Sequence, residues 1–158
     1  MATKIQKIIP HLWYDKEAIK AAEFYVSIFP DSKIISILNI HNTPSGSVDI
    51  ITFELAGNTF MAINAGPLFK FNESISFMVY CDTQEEIDYY WEKLTCGGLE
   101  QPCGWLKDKF GLSWQIVPTV MDEMMLSTNK EKLTKVTQAM LKMVKFDIME
   151  LNKAYGIK

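Results

Sequence analysis

One order of elements occurs twice in this 158-residue chain. Residues 5–14 (IQKIIPHLWY) are apolar and β-branched, which predicts a strand; Pro10 marks it as an edge or irregular one. Asp15 stands where a helix N-cap can sit. Ala18, Ala21, Ala22, Tyr25, Ile28 and Phe29 then follow at helical spacing and predict a helix over 17–29, stopped by Pro30. A strand at 33–40, turn chemistry from His41 to Ser47, and a hairpin of 48–56 and 59–64 about Gly57-Asn58 complete a β-α-β-β-β unit. After a linker at 66–73, the order returns: a strand at 74–81, an Asp82-Thr83 cap, a helix at 84–95 ending at Gly97-Gly98, and strands near 104–107 and 113–117.

The repetition extends to individual residues. Tyr14-Asp15 matches Cys81-Asp82, and Phe24, Tyr25 and Ile28 match Tyr90, Trp91 and Leu94 at one offset. The string Gly57-Asn58-Thr59-Phe60-Met61-Ala62-Ile63 matches Gly111-Leu112-Ser113-Trp114-Gln115-Ile116-Val117. Two units of about 60 residues are too long and too few for a solenoid. They predict an α+β fold of two βαβββ modules (5–65 and 74–118) in a domain over 1–118, their strands forming an open mixed sheet around a cavity.

Residues 119–158 stand apart as a helical extension. A short helix near 119–126 precedes the polar break Ser127-Thr128-Asn129. Leu133, Val136, Met140, Met143, Val144, Ile148, Leu151 and Tyr155 then recur at three-to-four spacing, predicting one helix of about 25 residues with an apolar stripe. Six of the nine methionines lie after Pro118. Such a stripe covers the sheet of its own chain or a second copy, or else grips a ligand or a partner.

Composition removes several function classes. With 16 basic and 19 acidic residues the formal charge is −3, and the scattered lysines form no basic stripe for nucleic acid. No apolar run approaches the roughly 20 residues of a membrane span, and the start lacks a signal-peptide core, so a cytoplasmic protein is expected. Cys81, Cys96 and Cys103 are odd in number and form no CxxC, which reads as reduced thiols.

Six strings carry a family resemblance: LWYD (12–15), AAEFYVSIFPDS (21–32), NAGP (64–67), FKFNESISFMVYC (69–81), YYWEKL (89–94) and CGWLKDKFGLSWQIVP (103–118). They resemble the PhnB-like branch of the vicinal oxygen chelate superfamily, which includes glyoxalase I, bleomycin- and fosfomycin-resistance proteins and extradiol dioxygenases. The tail MLKMVKFDIMEL (140–151) is similar to that branch's C-terminal helix. The resemblance implies a homodimer with a ligand cavity. In metal-using members, it also implies His and Glu ligands on four strands.

Carried to this chain, those ligand positions fall near Ile9, Met61, Ser76 and Gln115, or at His11 and Ser74 if the register slides by two. One imidazole, hydroxyls and an amide do not make the three or four strong ligands a divalent cation needs. No glyoxalase-type metal and no other cofactor is therefore expected. The branch also carries a demethylubiquinone methyltransferase label, but the chain has no GxGxxG for a Rossmann-type cofactor site.

His11, Trp13, Met61, Asn64, Ser76, Trp105 and Gln115 suit a largely apolar pocket with a few neutral polar groups. The ligand expected is small and apolar or aromatic. For catalysis, His11 and Cys103 are the weak candidates, Cys103 because Lys107 and Lys109 follow it and cations lower a thiol pKa. Three readings stay open: a dimeric small-molecule-binding protein, a lyase, isomerase or metal-dependent enzyme, and a partner-binding module using the Met-rich helix.

Overall fold

The computed structural model describes residues 6–157. They form two compact units, Met1–Lys70 and Phe71–Lys158. The first contains β1 (His11–Tyr14), α1 (Ala18–Ile28), β2 (Lys33–Thr43), β3 (Gly46–Leu55) and β4 (Asn58–Asn64). The second contains β5 (Phe77–Cys81), α2 (Gln84–Thr95), β6 (Leu99–Glu100), β7 (Trp105–Lys107), β8 (Ser113–Pro118) and three further helices: α3 (Val120–Met125), α4 (Lys130–Met140) and α5 (Ile148–Tyr155). Each unit builds one four-stranded mixed sheet, ordered β1-β4-β3-β2 and β5-β8-β7-β6. In each sheet the first pair is parallel and the others antiparallel. The duplication read from the sequence is thus a duplication of topology.

The two registers agree as well. His11 lies opposite Met61 in β1–β4, and Met78 lies opposite Gln115 in β5–β8. Tyr25, Ile51, Phe53 and Ala62 bury the core beneath α1; Ile87, Leu94, Leu106, Trp114 and Ile116 do so beneath α2. Strand side chains alternate between faces, so each sheet has a helix-covered face and an opposite one.

Several expected boundaries shift. The first strand begins at His11, not Ile5; Ile5 itself lies outside the described residues. Pro10 supplies a carbonyl to Met61 N (2.9 Å) but has no N–H for a ladder. Asp15 does not cap α1. Glu17 is the N-cap residue without a side-chain bond, and Asn64 Oδ1 accepts from Ala18 N instead (2.7 Å). His41 belongs to β2, not a turn, because the strand runs to Thr43 and its ring meets Ser47 Oγ at 2.9 Å. β5 starts at Phe77, three residues after the expected Ser74. α2 is capped by Thr83, which accepts from Glu86 N, while Glu86 accepts from Asp82 N: a reciprocal cap.

The expected single helix over the tail is two helices. Cys103 N donates to Met143 O (2.8 Å) and Gly104 N to Val144 O (2.7 Å), so these carbonyls bond another segment rather than continuing a helix. Gln84 then fixes the exit: its amide donates to Phe146 O (3.1 Å) and accepts from Ile148 N (2.9 Å). Asp147 caps α5 through Glu150 N. Val117, Met121, Met124, Val136, Phe146 and Leu151 form one buried cluster, so the extension packs on the second sheet of its own chain. Among the described residues no helix is long and apolar enough to cross a membrane.

Candidate functional site

In the second unit, Met78, Gln115 and Trp105 are cross-strand neighbours on β5, β8 and β7. They form a row on the sheet face away from α2, because Trp114 and Ile116, on either side of Gln115, are buried. Val117 continues that face and Cys103 adjoins it from the β6–β7 loop. Above them lie Met121, Asp122, Met140 and Phe146 from the extension. Together these nine residues line a partly open cavity of about 270 Å³.

Its few polar groups are specifically held. Gln115 Nε2 donates to Ser76 Oγ (2.8 Å). The Tyr80 hydroxyl bonds the Asp122 carboxylate, which holds that phenol above its ordinary pKa. No Lys, Arg or His lines the cavity. The Cys103 thiol points to Met140 O (3.8 Å). Its lysine neighbours are engaged elsewhere: Lys107 with Glu73 (2.6 Å), and Lys109 over the Phe110 ring (5.3 Å). Lys107, with Gln101, holds the Glu73 carboxyl down to about 2.

Cys103 and Gly104 both have positive φ (61° and 76°), and only the second is a glycine. A left-handed non-glycine residue costs about 1–2 kcal/mol. The two consecutive turns aim both N–H groups at the 143–144 carbonyls, and those bonds offset the strain. The loop is therefore shaped to hold the extension, with the thiol at the cavity wall.

The other expected site residues lie in the first unit. His11 is exposed on β1 opposite Met61, which is half-buried. Trp13 Nε1 donates to Gly66 O (2.8 Å), and its ring meets Phe69 edge-on at 4.9 Å. The Asn64 amide is occupied by Ala18 N and by Asp49 Oδ2 (3.2 Å), so it anchors the start of α1. Trp105, Gln115 and Cys103 thus share one cavity, with Ser76 bonded to Gln115. His11, Trp13, Met61 and Asn64 belong to a different unit.

The divalent site implied by the superfamily does not fit these residues. Ile9 precedes β1, and Ser76 and Gln115 bond each other as neutral groups. Among the described residues, no three His, Cys, Asp or Glu side chains are grouped to hold a metal ion.

The sequence did not single out Met78, Met121, Met140 or Phe146. The repeat carried the signal for Met78, because the offset joining Tyr14 to Cys81 also joins His11 to Met78. Asp108 follows β7 directly. It is 3% exposed, and its carboxylate accepts from Phe110 N (2.8 Å), Leu112 N (3.1 Å) and Trp114 Nε1 (2.9 Å), building the turn that feeds β8.

The sequence profile of the 3-demethylubiquinone-9 3-methyltransferase family matches residues 6–117, both modules but not the extension. The chain belongs to this family. It is 35% identical to the PhnB protein of Bacillus cereus, which carries the same methyltransferase label; 72% of this chain covers all of that one, with a TM-score of 0.66. A Pseudomonas aeruginosa protein shares the fold at 17% identity and a TM-score of 0.61, over 72% of this chain and 98% of that one. So does FosX, a genomically encoded fosfomycin resistance protein of Listeria monocytogenes, at 16% identity and a TM-score of 0.55, over 78% of this chain and 97% of that one. No protein of curated function matches the chain. These likenesses establish the PhnB-like branch and the vicinal oxygen chelate fold. The family's label describes a chemistry for which neither sheet has the doubly wound parallel order of a Rossmann-type domain.

Proposed function

We propose that this PhnB-like protein binds a small, uncharged, largely apolar molecule and uses no tightly bound metal. The observation that carries the reading is the cavity over the Met78–Gln115–Trp105 row. It is mostly apolar, its polar side chains are the Gln115 amide, the Cys103 thiol and the Asp122 carboxylate, and no cationic side chain lines it. Mostly apolar cavities with a small number of placed polar groups are the usual form of small-molecule sites. The binding residues in this reading are Trp105, Gln115 and Ser76, with Cys103 at the wall; His11, Trp13, Met61 and Asn64 make a separate set in the first unit.

The protein is also proposed to be a cytoplasmic homodimer. Three free cysteines, one of them exposed, support a reducing compartment. Ile35, Ile37, Leu38 and Ile40 on the edge strand β2 are 38–56% exposed, an apolar surface suited to a second copy.

The test is elemental analysis of untagged protein purified without chelator, followed by a thermal-shift screen of neutral apolar compounds and divalent metals. The expected result is no stoichiometric metal and a rise in melting temperature with apolar compounds. Close to one equivalent of Zn, Ni, Mn or Fe would refute the metal-free reading and favour a lyase or isomerase. Light scattering that gives a monomer at high micromolar concentration would refute the dimer.

A further inference from the structure

The family match ends at residue 117, and the whole of the Bacillus cereus protein is spanned by 72% of this chain. Yet the roof of the cavity, Met121, Asp122, Met140 and Phe146, comes from beyond that point. We infer that the extension is the specificity element of the site: it roofs part of an open sheet face and makes a partly enclosed pocket selective for a single aromatic ring system bearing an N–H or O–H donor. This inference rests on the reading of the cavity as a ligand site.

Size is the first argument. A dry cavity of about 150 Å³ takes up benzene, and sites for drug-sized molecules begin at about 300 Å³. At about 270 Å³ the cavity matches one substituted ring or a fused pair, and any longer molecule would have to project from it into solvent. Without the roof the same row of side chains is one face of a sheet and sets no upper size.

Chemistry is the second. Met121 and Met140 bring thioethers down onto a floor that holds Met78 and Trp105. Polarizable sulfur against an aromatic ring is favourable, and the sulfur prefers the ring edge. An aliphatic ligand of the same volume gains burial but not this contact.

Polarity is the third. One N–H of the Gln115 amide is given to Ser76, which leaves the amide oxygen as an acceptor beside the second N–H. Asp122, held by Tyr80, adds a carboxylate from the roof. Both groups accept and the lining carries no cation, so donors are selected and anions are rejected. Indole, phenols and neutral arylamines have this pattern; benzoates and phosphorylated compounds do not.

The experiment titrates the full chain with indole, 4-methylphenol, benzoate and cyclohexanol, read by calorimetry and by Trp fluorescence. Indole and 4-methylphenol are expected to bind at least tenfold tighter than benzoate or cyclohexanol. Met140→Leu keeps the volume and removes the sulfur. It should weaken the two aromatic donors about two- to tenfold and leave cyclohexanol unchanged. Gln115→Leu removes the floor acceptor and should weaken both donors. Unfolding midpoints of the variants, matched to the parent, establish that each is folded.

If none of the four probes binds, the ligand-site reading and this inference both fall. If the probes bind and respond to Gln115→Leu, but Met140→Leu and Met140→Ala leave affinity and selectivity unchanged, the role of the extension is refuted and the site stands. Benzoate binding as tightly as 4-methylphenol would refute the assigned ligand class.

Discussion

Gly104 is the point at which the extension is fastened, and Gly104→Ala tests that fastening. A Cβ there would lie 2.4 Å from Phe146 Cε2 and 2.8 Å from the Ile116 carbonyl oxygen, at a φ of +76°. The left-handed backbone alone costs about 1–2 kcal/mol for alanine. The backbone oxygen has little room to yield, so Phe146 must move. Phe146 is 3% exposed, and full burial of such a side chain is worth about 1.5–3 kcal/mol. Weakening the Gly104 N bond to Val144 O adds about 1 kcal/mol. The expected destabilisation is about 3.5–6 kcal/mol, read from the shift of the urea midpoint at constant slope. In a Phe146→Ala background the ring clash is gone while the contact with the Ile116 carbonyl oxygen stays, so the same change should cost less than in the parent but no less than the roughly 1–2 kcal/mol of backbone strain. Equal costs in both backgrounds would refute the packing argument, and a cost below about 1 kcal/mol in the parent would refute the strain argument as well.

Three other perturbations have defined outcomes. Asp108→Ala strands two backbone N–H groups and the Trp114 indole in a buried turn; a loss of about 3–5 kcal/mol is expected in denaturant unfolding, and a loss under 1 kcal/mol would contradict it. The Glu73 carboxyl is depressed to about 2, so its pairing stabilises the fold above the ordinary carboxylate pKa near 4.5 and is lost as pH falls toward 2. Glu73→Gln should therefore lower the melting temperature slightly at pH 7, match the parent near pH 2, and so flatten the fall across that window. Burial pushes the Cys81 thiol up to about 12, so at pH 8 a disulfide reagent should label exposed Cys96 within seconds and spare Cys81 until the protein unfolds. Rapid labelling of Cys81 in native protein would contradict its burial.

The modules were legible because their signals are local. Alternating apolar strands, the Thr83 cap and the hairpin expected about Gly57-Asn58, which turns one residue earlier at Ala56-Gly57, each state their own geometry, and repetition reinforced them. The break in the tail was not legible. Its apolar spacing runs on through Met143 and Val144, and nothing nearby in sequence announces that their carbonyls bond a loop some 40 residues earlier. The capping of α1 failed for the same reason: Asn64, far along the chain, does what an adjacent Asp15 was expected to do. Of the residues around the cavity, the sequence named Gln115 from strand position and Trp105 for its aromatic surface; Ser76 precedes β5 and reaches the cavity only through its bond to Gln115. The roof was seen only as a methionine excess, since composition does not say which sheet face a helix covers.

Beside its buried cluster, the extension is seated by groups that every residue carries. Two main-chain N–H groups of the 103–104 loop meet two main-chain carbonyls, and a single Gln84 amide clasps the main chain on either side of Asp147. Attachment of this kind does not read the side chains it holds. Met140 can therefore be exchanged while the segment keeps its place, and anchorage and selectivity become separately adjustable properties. A library varied at Met140, with Gln84 and Gly104 retained, would change what the protein accepts without rebuilding the scaffold that accepts it.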